Sequence, residues 1–372
     1  MQGKYRVLLL LVLLIFSSAS FSQVQQEELE QLMRRQYSDG DAPGGVLGVS
    51  VGGETCIVAV GVRDVQQGLP IDEHTNFRLA SVSKQYTAWA AVHALNAHGL
   101  SIDVTIDRWF PELASPAAAI RVADLINHSS GVPDYEDRIP ADQTDQLSDA
   151  DVLGLIAPLD TLYFKPGSQF RYSNTGYCLL TLLVERLTGI AYADYLKAYL
   201  FEPMKLIHSQ VFQPSDSIVN RAYGYRIEEQ KAVFADQSVT SATKGDGGIY
   251  TSTHDFHRFN RFIQDTLLFD AGTGSAQAVS PEVNYWMGLF QAKTIDGQDV
   301  YFHSGETTGF RHVFLRIPQR DLVVSLFTNR DDTKLAAVFD AVLDYAGVDI
   351  PALGTENLFH WLSRVYAHQL TE

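Results

Sequence analysis

Three short groups of residues in this chain could do chemistry together. The first is Ser81-Val82-Ser83-Lys84, at the start of an apolar stretch with helical spacing. Residues i and i+3 share a helix face, so Lys84 can reach the Ser81 hydroxyl. A lysine in the first turn also sits at the positive end of the helix dipole, where a cation is disfavoured. Such a lysine gives up its proton readily and can draw one from serine, making a nucleophile. A serine here could instead cap the helix. A capping box, however, calls for Glu or Gln three residues on, where this chain has Lys84. The second group is Tyr172-Ser173-Asn174, the one Tyr-x-Asn in the chain. A phenol can relay a proton, and an asparagine can hold an amide by both donor and acceptor. In isolation, Asn174 reads as the cap of a helix beginning near Gly176, with Tyr172 in the core. The third group, His303-Ser304-Gly305, ends a strand-like run. Glycine beside a polar strand end lets a substrate backbone approach and pair with the strand. Alone, it reads as an exposed edge-strand histidine.

Other serine patterns compete with these. Gly48-Val49-Ser50-Val51-Gly52 matches the G-x-S-x-G elbow, which needs a strand before the serine and a helix after it. A Gly-Gly turn and a second strand follow instead, so a hairpin is expected. Ser241-Ala242-Thr243-Lys244 repeats the Ser-x-x-Lys spacing but runs into Gly245-Asp246-Gly247-Gly248, which cannot continue a helix. Lys165-Pro166-Gly167 is a turn by composition. There is no His-Glu-x-x-His, and His254-x-x-His257 reads as a polar helix face. Neither a metal nor an organic cofactor is called for.

The elements that must position these groups can be read coarsely. Gln25 to Tyr37 reads as a polar helix packing on one face. Val46 to Val51 and Cys56 to Val62 read as a hairpin, and Gln85 to His98 as a helix closed by Gly99. From Ile102 to Ala235, helical runs such as Gly176 to Leu187 and Tyr192 to Phe201 alternate with loops rich in Pro, Asp and Ser. After the helical run Thr253 to Phe262, strands return over Tyr285 to Gln291, Val300 to Phe302, Phe310 to Ile317 and Leu322 to Phe327. Lys334 to Tyr345 reads as a closing helix. Strands near both ends with helices between predict an α+β fold. An antiparallel sheet formed from both chain ends is flanked by helices and carries an inserted all-helical region. The sheet domain is expected over 23–101 and 236–346, and the helical domain over 102–235. In the tail, 347–372, Leu358, Trp361, Leu362 and Val365 at helical spacing predict a last amphipathic helix.

Residues 1–22 are set apart. Lys4 and Arg6 precede the apolar run Val7 to Phe16, and small residues lead to Gln23. This order predicts a secretory signal peptide. Ten residues make about 15 Å of helix, too short for a bilayer core of about 30 Å. The mature protein is therefore expected to be exported, periplasmic or secreted, with no stable membrane span. Removing the segment takes away two of the 28 basic residues and none of the 44 acidic ones, so the rest is more acidic than the net −16 of the whole chain. Such a surface repels nucleic acid and anionic lipid. The two cysteines, Cys56 and Cys178, could form a disulfide after export or remain buried thiols.

Ser-x-x-Lys, Tyr-x-Asn and His-x-Gly, in that order, resemble the motifs of the penicillin-recognising serine hydrolases. The nearest branch looks like class C β-lactamases, D-Ala-D-Ala carboxypeptidases and related esterases. The flanks Phe77-Arg78-Leu79-Ala80, Leu125 to Gly131, Gly247-Gly248-Ile249-Tyr250 and His303 to Phe310 look alike too, and the resemblance covers about Leu29 to Tyr345. It implies a β-lactamase/transpeptidase-like fold and assigns roles. Ser81 would form an acyl-enzyme, Lys84 or Tyr172 would serve as base, and Asn174 would bind the substrate amide. The backbone N–H groups of Ser81 and Glu306 would form the oxyanion hole. His303 would take the third-motif place, with Ser304 and Gly305 beside substrate. Many β-lactamases of this superfamily have lysine where this chain has His303, and a histidine with the ordinary value is only partly charged at neutral pH. Arg311 would then be an alternative cation for a substrate carboxylate. The implied substrate is a small molecule or peptide of cell-wall type: a D-Ala-D-Ala-type peptide, a small ester or a β-lactam. The rival reading is a catalytically idle protein that binds muropeptides or penicillin as a sensor.

Overall fold

The computed structural model describes residues 23–37, 40–113, 118–264 and 275–368. The expected signal peptide lies outside them. The described chain begins in helix α1 (Gln23–Gln36). Alternating apolar residues then make β1 (Gly45–Val51) and β2 (Glu54–Val60), paired through the Gly52-Gly53 turn. β3 (Val62–Asp64) and β4 (Leu69–Pro70) form a small ribbon, and β5 (Phe77–Arg78) leads to a 3₁₀ turn over Ala80–Ser83. Helix α2 (Lys84–Ala97) follows directly.

The inserted region holds α3 (Val122–Ile126), α4 (Asp149–Ile156), α5 (Asn174–Thr188) and α6 (Tyr192–Leu196), the last continued by a π-helical turn over Lys197–Phe201. The region was expected to be all-helical, and here the structure adds to the expectation. It also contains β6 (Gln210–Val211) and a hairpin of β7 (Tyr225–Glu228) and β8 (Lys231–Phe234). The hairpin turns at Glu229 and Gln230, both at positive φ. No glycine marks that turn, which is why composition did not reveal it.

Next come β9 (Ile249–Thr251) and α7 (Thr253–Gln264), then the strands β10 (Gln277–Ser280), β11 (Val283–Trp286), β12 (Leu289–Lys293), β13 (Asp299–Thr307), β14 (Phe310–Ile317) and β15 (Leu322–Thr328). Helices α8 (Lys334–Tyr345) and α9 (Leu358–Tyr366) follow. The single strand expected over Tyr285 to Gln291 is two strands, because Met287 and Gly288 turn at positive φ. A side chain at Gly288 would overlap the backbone of Lys84 and Gln85. The turn is therefore pressed against the start of α2, where the Ser81 group ends.

One antiparallel eight-stranded sheet runs β10-β11-β12-β13-β14-β15-β1-β2. Pairing of β1 with β15 joins strands from the two ends of the chain, with Val46 opposite Phe327 and Leu47 opposite Leu326. Strand alternation sends Val46, Phe314 and Phe327 to one face, packed with α2, α7 and the inserted helices. Leu47, Val313, Leu315 and Leu326 take the other face, under α1, α8 and α9. Both faces are buried, so a one-residue slip would exchange two cores and is strongly resisted. Among the described residues, no helix is long and apolar enough to cross a membrane. Cys56 in β2 and Cys178 in α5 are both buried free thiols in different clusters.

Candidate active site

Ser81 stands on the 3₁₀ turn rather than at a helix cap, and α2 has no side-chain cap at all. The residue before it, Ala80, has φ 48°, a left-handed conformation that costs a non-glycine residue on the order of 1 kcal/mol or more. Neighbours hold it there. Leu79 N–H donates to the Ile249 carbonyl at 2.8 Å, and Ile249 N–H donates to Ser83 Oγ at 3.1 Å. On the other side β13 lies so close that any side chain at Gly305 would overlap the Leu79 carbonyl oxygen. The nucleophile turn is thus clamped between β9 and β13.

Lys84, fully buried in the first turn of α2, donates from Nζ to Ser81 Oγ at 3.0 Å, Asn174 Oδ1 at 2.8 Å and the Asp246 carbonyl at 2.8 Å. Its ammonium lies over the Tyr172 and Tyr177 rings, 5.0 and 5.4 Å from their centroids. Burial pulls its pKa down to about 8, against the opposing pull of Asp246, Cys178, Glu136 and Asp134. Asn174 does not cap α5. Ser173 does, its hydroxyl accepting from Gly176 N–H at 3.2 Å. The Asn174 amide is therefore free to bridge, taking Lys84 on its oxygen and giving its nitrogen to Glu136 Oε1 at 2.9 Å.

Tyr172 packs against His128, ring centroids 4.3 Å apart, while His128 Nδ1 accepts the Ser173 N–H at 3.1 Å. Burial drives the Tyr172 phenol well above its ordinary value; the Tyr366 phenol adds to the rise and the Ser81 hydroxyl opposes it. The Tyr172 hydroxyl shares the cleft with Ser81 and lies close enough for the serine hydroxyl to act on it.

His303 is fully buried, with Nδ1 2.5 Å from the Ser304 carbonyl and Nε2 3.2 Å from the Tyr285 hydroxyl. These partners assign the proton to Nδ1. Burial lowers its pKa to about 3; the Ser304 carbonyl opposes this and the Lys84 charge adds to it. The partial charge expected from the ordinary value is therefore absent at neutral pH. Ser304 is engaged too, its Oγ 3.0 Å from the Tyr366 hydroxyl. Arg311 does not join the group. Its Nη2 lies 3.6 Å from Glu306 Oε2, its guanidinium stacks over Phe359, and it lines a neighbouring cleft with Arg226 and Asp331.

Ser81, Tyr172 and Asn174 open onto a cleft of about 450 Å³ that also carries Asp134, Glu136, Asp137, Glu306, Arg171 and, from the tail, Ser363, Tyr366 and His368. A larger open cleft of about 810 Å³ near α6 and β6 contains none of the three groups. Glu136 faces solvent at the mouth, so water screens part of its surroundings. Desolvation, Asp134 and Asp246 push its pKa up to about 7, opposed by Asn174 and Lys84. Sequence reasoning did not single out Glu136 or Tyr366. Glu136 sits in a polar loop with no spacing signal, and Tyr366 ends the helical pattern of the tail.

The competing serines fall away on geometry. Ser50 lies within β1, where its Oγ bonds His257 Nδ1 at 2.6 Å, with no strand–turn–helix around it. Ser241 accepts from Ser238 N–H at 2.8 Å, while Lys244 points to Glu185, 3.9 Å away. Among the described residues, no group of three or more His, Cys, Asp or Glu is placed to hold a metal ion.

Solved structures with this fold include penicillin-binding proteins and amidases. An octameric penicillin-binding protein homologue from Pyrococcus abyssi superposes with a TM-score of 0.75 at 21% identity, covering 89% of this chain and 80% of its own. The D-amino acid amidase of Ochrobactrum anthropi SV3 gives 0.72 at 20% identity, covering 86% and 97%. In sequence, penicillin-binding protein 4* of Bacillus subtilis is 26% identical over 74% of this chain, and a D-aminopeptidase of Cereibacter sphaeroides 25% identical over 83%. This chain spans 65% and 61% of the length of those two relatives. The Beta-lactamase family model matches residues 29–347, and the chain belongs to that family.

Proposed function

We propose that the protein is a serine hydrolase that cleaves amide or ester bonds through an acyl-enzyme on Ser81. One observation carries this reading: Lys84 Nζ, fully buried, lies 3.0 Å from Ser81 Oγ and is held there by two further acceptors. Neutral Lys84 takes the Ser81 proton as Oγ attacks the substrate carbonyl carbon. The negative oxygen is met by the backbone N–H groups of Ser81 and Glu306, each such donor typically worth about 3 kcal/mol of barrier. Lys84 then returns the proton, through the Tyr172 hydroxyl, to the departing nitrogen or oxygen as its bond to carbon breaks. Water attacks the acyl ester in the second half, giving its proton to the same relay, and Ser81 Oγ leaves with a proton. The pKa directions favour Lys84 over Tyr172 as base, one lowered to about 8 and the other raised well above 10.

Charge narrows the substrate. Asp134, Glu136, Asp137 and Glu306 line the cleft, His303 is neutral, and Arg311 is turned to Glu306. A leaving group that ends in a free carboxylate, as in a D-Ala-D-Ala peptide or an opened β-lactam, meets these four acidic residues with Arg171 as the arginine on the same cleft. Amides or esters with uncharged leaving groups fit better. The test is labelling of the folded protein with a fluorophosphonate and a fluorescent penicillin, read by peptide mass. An adduct on Ser81, lost in Ser81→Ala, is expected. No adduct with either probe overturns the reading.

A further inference from the structure

Helix α9 lies beyond residue 347, where the family match ends, yet it walls the catalytic cleft. Its inner face is fixed in the core. Trp361 meets the Phe290 and Phe302 rings edge-on, with centroids 5.6 and 5.9 Å away, and Leu358, Leu362 and Val365 are buried beside it. From that base Tyr366 reaches β13. Its hydroxyl is 3.0 Å from Ser304 Oγ and 3.3 Å from His303 Nδ1, and its ring lies 4.7 Å from that of Tyr172. With His303 Nδ1 donating to the Ser304 carbonyl, the Tyr366 proton is left for Ser304.

The strand segment concerned reaches the cleft at Glu306, with Ser304 and Gly305 buried just behind it. β12 pairs with β13 only as far as Phe302, whereas β14 continues along the other side to Thr307. Residues 303–307 therefore present a strand edge beside the Ser81 turn, and the chain's own phenol already occupies the Ser304 hydroxyl on it. A substrate group directed there meets a ring fixed by Tyr172 on one side and the α9 core on the other.

We propose that Tyr366 is a specificity-determining residue that limits the size of the group accepted beside Ser81 and Ser304. The proposal rests on Ser81 being the acylated nucleophile. A helix that only covered the sheet would affect all substrates alike, whereas a wall acts on large ones.

The experiment uses the full chain with two nitrophenyl-type ester series. In one the acyl chain lengthens at a fixed leaving group; in the other the leaving group grows at a fixed acetyl group. Tyr366→Ala should raise the ratio of kcat/KM for the largest to the smallest ester by about tenfold in at least one series. Tyr366→Trp should lower that ratio, and Tyr366→Phe, which keeps the ring, should leave it near the native value. The opposed Ala and Trp variants keep the test decisive if one of them folds poorly. A ratio unchanged in both series, or a uniform change in kcat across them, overturns the proposal while Ser81 still labels. Failure to label Ser81 in the native protein overturns the nucleophile, and this inference with it.

Discussion

A buried lysine is pushed out of its charged form by the lack of water and held in it by nearby negative charge. For Lys84 the first effect wins in part, giving a pKa of about 8. At pH 7 roughly a tenth of the molecules then hold it neutral. If neutral Lys84 is the base, kcat/KM should climb tenfold per pH unit well below 8 and level off above it, since that ratio reports the free enzyme. A fall above pH 8 would mean that the ammonium form is required and would move the base to Tyr172. Glu136 tests the electrostatics independently. Its negative charge raises the Lys84 value, so Glu136→Gln should shift the midpoint of the profile to lower pH. Lys84→Ala should lower kcat/KM by about a hundredfold or more with Ser81 still present. At this scale the Ser81–Lys84 pair was legible because its members stand three positions apart, one helical turn, across the join of the 3₁₀ turn and α2. The Asn174–Glu136 contact spans 38 residues and is made by the fold alone, so no local spacing could announce it. Asn174 also looked like a cap until Ser173 took that place.

Between residues and molecule, the decisive packing is a strand laid against a turn. Gly305 is where β13 comes nearest to the Ser81 turn, and the Leu79 carbonyl leaves no room for a methyl group. Backbone cannot swing aside as a flexible side chain would. Gly305→Ala should therefore push β13 and the turn apart, at a cost typical of overpacking, about 1–3 kcal/mol, seen as a lower unfolding midpoint. Ser81 labelling should slow by more than the loss of folded protein explains. Equal losses in both would mean that the close approach serves stability only. Ser173→Ala is the contrasting change. It should cost about 1 kcal/mol through the lost α5 cap while leaving the Lys84 to Asn174 bond in place. Most of the main sheet was legible from alternation and Gly-rich turns, though not its edge strand β10. The division of Tyr285 to Gln291 was not, because Met287 turns at positive φ, a conformation its type does not advertise. The same holds for the Glu229-Gln230 hairpin. Composition marks turns made by glycine, proline and asparagine, whereas these are imposed by what the adjoining strands pack against.

Over the whole molecule the charge balance and the cleft agree in sign. The chain carries a net −16, and the cleft mouth holds four acidic residues against the guanidinium of Arg171, with Glu136 only partly charged at pH 7 and Glu306 facing Arg311. His368, the other basic group there, is driven toward its neutral form first by burial and then by Arg171. An anionic substrate is thus repelled twice, by the surface as it approaches and by Asp134, Glu136, Asp137 and Glu306 once it arrives. The surface part is screened over about 10 Å at 0.1 M salt, while the part at the partly desolvated mouth persists. A pair of nitrophenyl esters that differ only by a carboxylate at the end of the acyl chain separates the two. At low salt the neutral ester should be favoured in kcat/KM on the order of tenfold or more. Raising the ionic strength should narrow that gap without closing it, and Glu136→Gln should narrow what remains. A preference for the carboxylate ester at low salt would mean that Arg171 or Arg311 governs the mouth, and would restore peptides with a free C-terminus as the preferred substrate.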